Sequence, residues 1–108
     1  MTELADLTAV ALVEAYRARR LSPVEVVDAV IARIDSWEPQ LNALWAYDPE
    51  AARESARQSE ARWMKGQPIG AIDGVPVTIK ENIATKGTPV PLGTAAVTLV
   101  PAAADAPP

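Results

Sequence analysis

The sequence predicts an α/β chain, helical through its first two thirds and then a strand followed by an ordered loop. Three observations carry this. All five glycines lie between Gly66 and Gly93, and seven of the ten prolines lie from Pro68 onward, so chain-breaking residues gather in the C-terminal third. Ahead of Gly66, apolar residues recur at helical spacing behind recognisable caps. Beyond it, apolar and polar residues alternate with a period of two.

Thr8 is placed to cap a first helix, on which Ala9, Leu12, Val13 and Tyr16 fall at i, i+3, i+4 and i+7. That helix runs out in Arg17, Arg19 and Arg20, cations that suit a helix C-terminus. Ser22-Pro23-Val24-Glu25 opens a second, with a capping hydroxyl, a proline at the first helical position and a glutamate three residues after the cap. Its apolar stripe is Val27, Val30, Ile31 and Ile34, and Pro39 is expected to stop it. Asn42-Ala43-Leu44-Trp45-Ala46-Tyr47 is too short for a helix, and its aromatic residues predict a short strand. Asp48-Pro49-Glu50 then starts a third helix with the small stripe Ala52, Ser55, Ala56 and Ser59, ending at Gly66.

After Gly66, Val75, Val77 and Ile79 alternate with Pro76, Thr78 and Lys80, which predicts a strand entered from an Asp73-Gly74 turn. Lys80 therefore points away from Val77 and Ile79. Pro89 and Pro91 forbid a central strand, so residues 85–93 form an ordered loop in this reading.

Composition excludes several functions. The 108 residues carry no Cys and no His, which removes disulfides, thiolate or imidazole metal sites, and Ser-His-Asp or Cys-His catalysis. The net charge of −4 disfavours nucleic acid and anionic membranes. Acidic residues near Met1 do not fit a secretory signal, and the longest weakly polar stretch, residues 95–104, is far too short to span a bilayer. A cytoplasmic protein without cofactor or metal is the expectation. Apolar residues make up 49%, but 21 residues are Ala and none is Phe. At about 25 cal/mol per Å² of buried apolar surface, so thin an inventory predicts a marginal fold if the chain stands alone.

Without His or Cys, activation of a nucleophile at neutral pH falls to the carboxylates or to a lysine held in its neutral form. Lys65, Lys80 and Lys86 are the three lysines. Lys80 is the candidate base because it ends an apolar strand beside Gly- and Pro-rich loops, although a lysine at a strand end is ordinarily a solvated one. Ser22, Ser36, Ser55 and Ser59 lack the Gly-rich setting of a nucleophile. Trp37, Trp45 and Trp63 read as packing residues. Arg53, Arg57 and Arg62, interleaved with Glu50, Glu54 and Glu60, read as a solvated helix face.

The run Ile72-Asp73-Gly74-Val75-Pro76-Val77-Thr78-Ile79-Lys80-Glu81-Asn82-Ile83, followed by Lys86-Gly87-Thr88 and Leu92-Gly93-Thr94, resembles the amidase signature family. That family shares a Gly-x-Pro-x-x-x-Lys-Asp-Asn strand. Leu21 to Glu25, Leu41-Asn42-Ala43, the Ala-rich third helix and Ala104-Asp105-Ala106-Pro107 resemble the family too, so the resemblance covers essentially the whole chain. Glu81 stands where the family usually has Asp, and Ala11 replaces a frequent glutamate.

The resemblance implies a mixed sheet flanked by helices. Residues 1–108 would be the N-terminal portion of a single amidase domain, mainly helical over 1–65, with the lysine-bearing strand and Gly/Pro-rich loop over 66–108. It further implies cleavage of carboxylic amide C–N bonds of a small-molecule substrate by a Ser-Ser-Lys mechanism, with Lys80 in the lysine role. No residue of the chain matches the two serines, so the chain by itself is expected to be inactive. The alternatives are an inactive interaction or oligomerisation module that self-associates, and part of the glutamine-hydrolysing subunit of a tRNA-dependent amidotransferase, which belongs to the same family.

Overall fold

The structure, a computed structural model, describes residues 3–108 and divides into two compact units, Met1–Pro76 and Val77–Pro108. Three helices build the first unit: α1 (Ala9–Arg17), α2 (Pro23–Leu41) and α3 (Pro49–Met64). Each begins where the sequence places a cap. Thr8 accepts from the Ala11 N–H at 3.1 Å and Asp48 from the Ala51 N–H at 3.0 Å. Ser22 accepts from the Val24 N–H at 3.0 Å, and Glu25 returns to the Ser22 N–H at 3.1 Å, completing a reciprocal capping box. At the far end of α3, Gly66 at φ +66° lets the chain leave the helix, its N–H bonding back to the Trp63 carbonyl at 3.0 Å.

The core is small, and helix spacing decides its membership. Leu12, Val13 and Tyr16 of α1 pack with Val26 of α2 and Trp63 of α3, and Leu7, Leu21 and Val75 close against them. The Tyr16 and Trp63 rings lie 6.0 Å apart, tilted by 47°, within the favourable range for an aromatic pair. Val27 and Ile31 form a second cluster with Ala56, where the small α3 stripe lets two helices approach closely. Val26, outside the predicted stripe, is the most buried residue of α2's apolar set, whereas Ser55, inside the α3 stripe, is exposed. The N-terminal turn Leu4–Asp6 is tied to α2 by Arg33, which pairs with Glu3 at 2.6 Å and with Asp6.

Pro39 does not stop α2. The helix continues to Leu41 because the missing proline N–H leaves only the Asp35 carbonyl without its partner, at an exposed residue near the helix end. Asn42 then closes the helix in the left-handed region (φ 48°, ψ 47°), its N–H reaching the Glu38 carbonyl at 2.8 Å. No strand follows among the described residues. The Glu38 carboxylate takes the N–H groups of Ala43 and, at 2.9 Å, of Leu44, so the backbone donors a ladder would need are already occupied. Trp37 and Trp45 are about half exposed, so of the three tryptophans only Trp63 serves as a buried packing residue.

Nor do residues 75–80 form a strand. The Asp73-Gly74 turn is present, with the Val75 N–H bonding to the Ile72 carbonyl at 3.0 Å, but among the described residues no neighbouring strand pairs with the segment beyond it. Alternation marks which side chains share a face; the ladder itself requires a second chain segment. The described residues therefore show three helices and isolated β-bridges, without the mixed sheet.

The second unit is held by backbone hydrogen bonds rather than by a core. Ile83 N–H closes a turn on the Lys80 carbonyl at 3.0 Å, and Thr88 N–H closes another on Thr85 at 3.0 Å. Residues 102–106 return alongside 84–88: Gly87 N–H bonds Ala102 at 2.8 Å, Ala102 N–H bonds Thr88 at 3.1 Å, and Ala106 N–H bonds Ala84 at 2.8 Å. Asp105 adds its carboxylate to the Lys86 N–H at 2.7 Å. Residues 85–93 are thus the ordered loop that Pro89 and Pro91 imply. Among the described residues no helix is long and apolar enough to cross a membrane.

Candidate functional site

Lys80 lies in the second unit at the head of the turn that Ile83 closes, and it is exposed. Within the described residues no carboxylate is near enough to form an ion pair with its amine. The residues leading to it are exposed as well, Val77 by 68% and Ile79 by 56%. Next to Lys80, the Glu81 carboxylate has one oxygen, Oε2, buried without a hydrogen-bond partner.

The four serines are placed for other work. Ser22 caps α2 and donates to Glu60, Ser55 is exposed on α3, and Ser36 lines an open hollow with Trp37 and Arg33. Ser59 is buried and donates to the Asp73 carboxylate at 2.8 Å. That contact does not activate it, because the Arg62 guanidinium holds the Asp73 carboxyl well below the usual carboxylate range against the opposing pull of burial, with the Ile69 N–H and Ser59 hydroxyl assisting. A carboxylate so stabilised is a poor proton acceptor. The structure thus brings none of the serines to Lys80 by any hydrogen bond among the described residues.

What the structure does assemble is an anchor at residues 72–75. Arg62 meets Asp73 through two nitrogens, each at 2.7 Å, and the Ile69 N–H reaches the same carboxylate at 3.1 Å. The Asp73 carbonyl accepts from Trp63 Nε1 at 3.0 Å, and the Gly74 carbonyl accepts from the Tyr16 hydroxyl at 2.9 Å. Gly74 sits at φ +85° with Ser59 Oγ 2.6 Å and Pro23 Cγ 2.8 Å from where a Cβ would lie, so neither its conformation nor its surroundings admit a side chain. All three helices therefore contribute to holding one turn.

Arg62 does not belong to the solvated face that its spacing with Arg53 and Arg57 predicts. Those two pair with acidic side chains at the surface, Arg53 with Glu50 on its own helix and with Asp28 of α2 at 2.9 Å, and Arg57 with Glu54 at 2.9 Å. Arg62 instead turns to a carboxylate whose side chain is 2% exposed. The signal available in the sequence is its place beside Ser59 and Trp63 on the buried side of α3. An open hollow of about 550 Å³, bounded by Asp35, Glu38, Pro39, Asn42 and Tyr47, lies on the first unit and includes no lysine.

Residues 25–107 match the profile of the amidase family. The chain is 42% identical over 93 residues to a glutamyl-tRNA(Gln) amidotransferase subunit of Chloroflexus aggregans, covering 86% of this chain and 19% of the relative. It is 32% identical over 87 residues to an acylamidase of Rhodococcus erythropolis, covering 81% of this chain and 18% of that protein. Among solved structures, a bacterial aryl acylamidase of the amidase signature family superposes with a TM-score of 0.77 at 35% identity, over 85% of this chain and 19% of the other. The chain thus spans about a fifth of the length of the relatives it matches. The lysine-bearing run and the anchored turn before it both fall inside the matched residues, and the chain belongs to the amidase signature family.

Proposed function

We propose that this chain is the N-terminal, lysine-bearing part of a hydrolase that cleaves carboxylic amide C–N bonds, with Lys80 as its base. The observation that carries the reading is the run from Asp73 to Asn82, inside the family match, where an anchored turn is followed by alternating Val75, Val77 and Ile79 and then Lys80. The exposed, β-branched side chains of Val77 and Ile79 are those of a segment suited to lie within a sheet.

In the mechanism, Lys80 is the base that accepts a proton, through a bridging serine, from a nucleophilic serine, both serines supplied by polypeptide outside these 108 residues. The nucleophile's oxygen bonds to the amide carbon, backbone N–H groups stabilise the resulting oxyanion, and the C–N bond breaks as the amine leaves with the returned proton. Water then releases the acyl group as a carboxylic acid. Residues 1–108 alone contribute the base and lack a nucleophile, so they do not turn over amides by themselves.

The test is a graft of residues 1–108 in place of the segment they match in the Rhodococcus acylamidase. Hydrolysis of an acyl anilide by the graft, and none by the 108-residue chain, supports the reading. A folded graft without activity opposes it.

A second reading is favoured by the 42% identity to the Chloroflexus amidotransferase subunit, higher than the 32% to the acylamidase. On it, the amide cleaved is that of glutamine, and the ammonia released serves amidation of glutamyl-tRNA(Gln). Grafting the same residues into the Chloroflexus protein and measuring ammonia from glutamine separates the two: the better-functioning graft identifies the branch.

A further inference from the structure

We propose that Asp73-Gly74 is a site of spontaneous covalent modification, the conversion of aspartate to isoaspartate, and that the side chains gripping this turn hold the reaction off while the first unit is folded. The inference stays within the first unit and is independent of the role given to Lys80. Asp73 is the only Asp or Asn of the sequence that precedes a glycine. Glycine leaves the following backbone nitrogen unshielded by a Cβ and free in its dihedral angles, which favours attack on the neighbouring carboxyl.

The chemistry draws only on solvent water. The Gly74 nitrogen bonds to Asp73 Cγ, and the proton of that nitrogen leaves with the carboxyl OH as water, closing a cyclic imide. Water then opens the ring. Breaking the bond to Cγ restores aspartate. Breaking the bond to the former main-chain carbonyl carbon instead sends the chain through Cβ and Cγ and leaves a carboxylate on Cα. No atom is gained or lost overall.

The folded turn opposes each requirement of ring closure. The carboxyl must be protonated, because a carboxylate offers no leaving group, but the Arg62 guanidinium holds Asp73 well below the usual carboxylate range. Cγ must swing onto the Gly74 nitrogen, but both carboxylate oxygens are fixed, by Arg62 through two nitrogens at 2.7 Å, by the Ser59 hydroxyl at 2.8 Å and by the Ile69 N–H at 3.1 Å. The flanking peptide planes must rotate, but Trp63 Nε1 holds the Asp73 carbonyl at 3.0 Å and the Tyr16 hydroxyl holds the Gly74 carbonyl at 2.9 Å. The Asp73 side chain is also only 2% exposed, which keeps water from it. Isoaspartate lengthens the main chain by one bond beside a glycine that Ser59 Oγ and Pro23 Cγ already crowd. Once formed in an opened turn, the product prevents the turn from closing, so a transient opening leaves a lasting mark.

The experiment incubates the 108-residue chain, folded and in urea, at neutral and mildly acid pH, and counts isoaspartate at each position by fragment mass spectrometry, with Asp35-Ser36 of α2 as the internal reference. In urea, isoaspartate should accumulate faster at residue 73 than at residue 35. In the folded chain it should form at residue 73 at least about tenfold more slowly than in urea, since ring closure awaits an opening of the turn. Arg62→Met and Tyr16→Phe, which each loosen the grip, should raise the folded-state rate by about threefold or more. Ile31→Val, which weakens the other core cluster without touching the turn, should leave that rate unchanged. Where circular dichroism shows that Arg62→Met has lost its helices, Tyr16→Phe decides alone. Three results would each overturn the proposal: no preference for residue 73 in urea, equal rates at residue 73 in the folded and unfolded chain, or grip variants that raise the folded-state rate no more than Ile31→Val does.

Discussion

Arg62 binds Asp73 in a two-pronged grip, Nε to Oδ2 and Nη2 to Oδ1, each at 2.7 Å. The carboxylate is almost fully enclosed, with 2% of its side chain exposed, whereas the guanidinium keeps 28%. Such a pair is costly to break because one charge is left inside without its partner.

Acid should weaken the first unit. The folded-state pKa of Asp73 lies below its ordinary value of 3.8, so the stabilisation is fully present above about pH 4 and is lost as pH falls below that. Thermal or urea unfolding of the chain between about pH 7 and pH 2 should show this decline. Asp73→Asn should flatten it and cost about 1.5–3 kcal/mol at neutral pH, as Arg62, Ser59 and the Ile69 N–H lose a charged acceptor. An unchanged acid limb in the variant would show that other groups carry it.

At alkaline pH the sign reverses in cause. Burial pushes the Tyr16 hydroxyl up to about 12 from 10.0, so folding is favoured below pH 10 and that advantage disappears as pH rises toward 12. Tyr16→Phe should abolish this alkaline loss. At neutral pH it should cost about 1–2 kcal/mol, because the Gly74 carbonyl is left without its donor. Unfolding measured across about pH 8–12 checks both effects.

Glycines in positive φ are not equivalent here. Gly74→Ala must accept both φ +85° and a Cβ within 2.6 Å of Ser59 Oγ, and should destabilise the first unit by about 3 kcal/mol. Gly66→Ala, at φ +66° with open space around it, should cost about 1 kcal/mol. The comparison of the two melting curves tests whether close packing, beyond backbone conformation, governs residue 74.

Much of the first unit is legible in the sequence because its determinants are local. Thr8, Ser22 and Asp48 each bond to an N–H two or three residues away, and such contacts leave a signature at fixed spacing. What is not legible depends on partners that spacing does not mark. The Glu38 carboxylate diverts residues 43–44 from strand pairing, and Arg62 belongs to Asp73 rather than to the acidic residues interleaved with it. The alternation around Val77 and Ile79 records a face without supplying the strand that would cover it. Lys80 stands out through a motif, whereas the anchor preceding it needs the three-dimensional convergence of Tyr16, Ser59, Arg62 and Trp63.

The exposed apolar side chains of the second unit predict self-association of the isolated chain. Val77, Ile79, Leu92, Leu99 and Val100 are all between 48% and 68% exposed, and apolar surface of this kind seeks burial. Sedimentation velocity at increasing concentration should show species heavier than 11.5 kDa. Val77→Lys with Ile79→Glu should return the chain toward a monomer. A monodisperse monomer in the unaltered chain would rule the association out.

The role of Lys80 is tested most directly by kcat/KM of the acylamidase graft carrying Lys80→Met, set beside the unaltered graft on the same acyl anilide. Loss of the base should lower it by about a hundredfold to ten-thousandfold while the graft remains folded. Turnover within a few-fold of the unaltered graft would contradict the account.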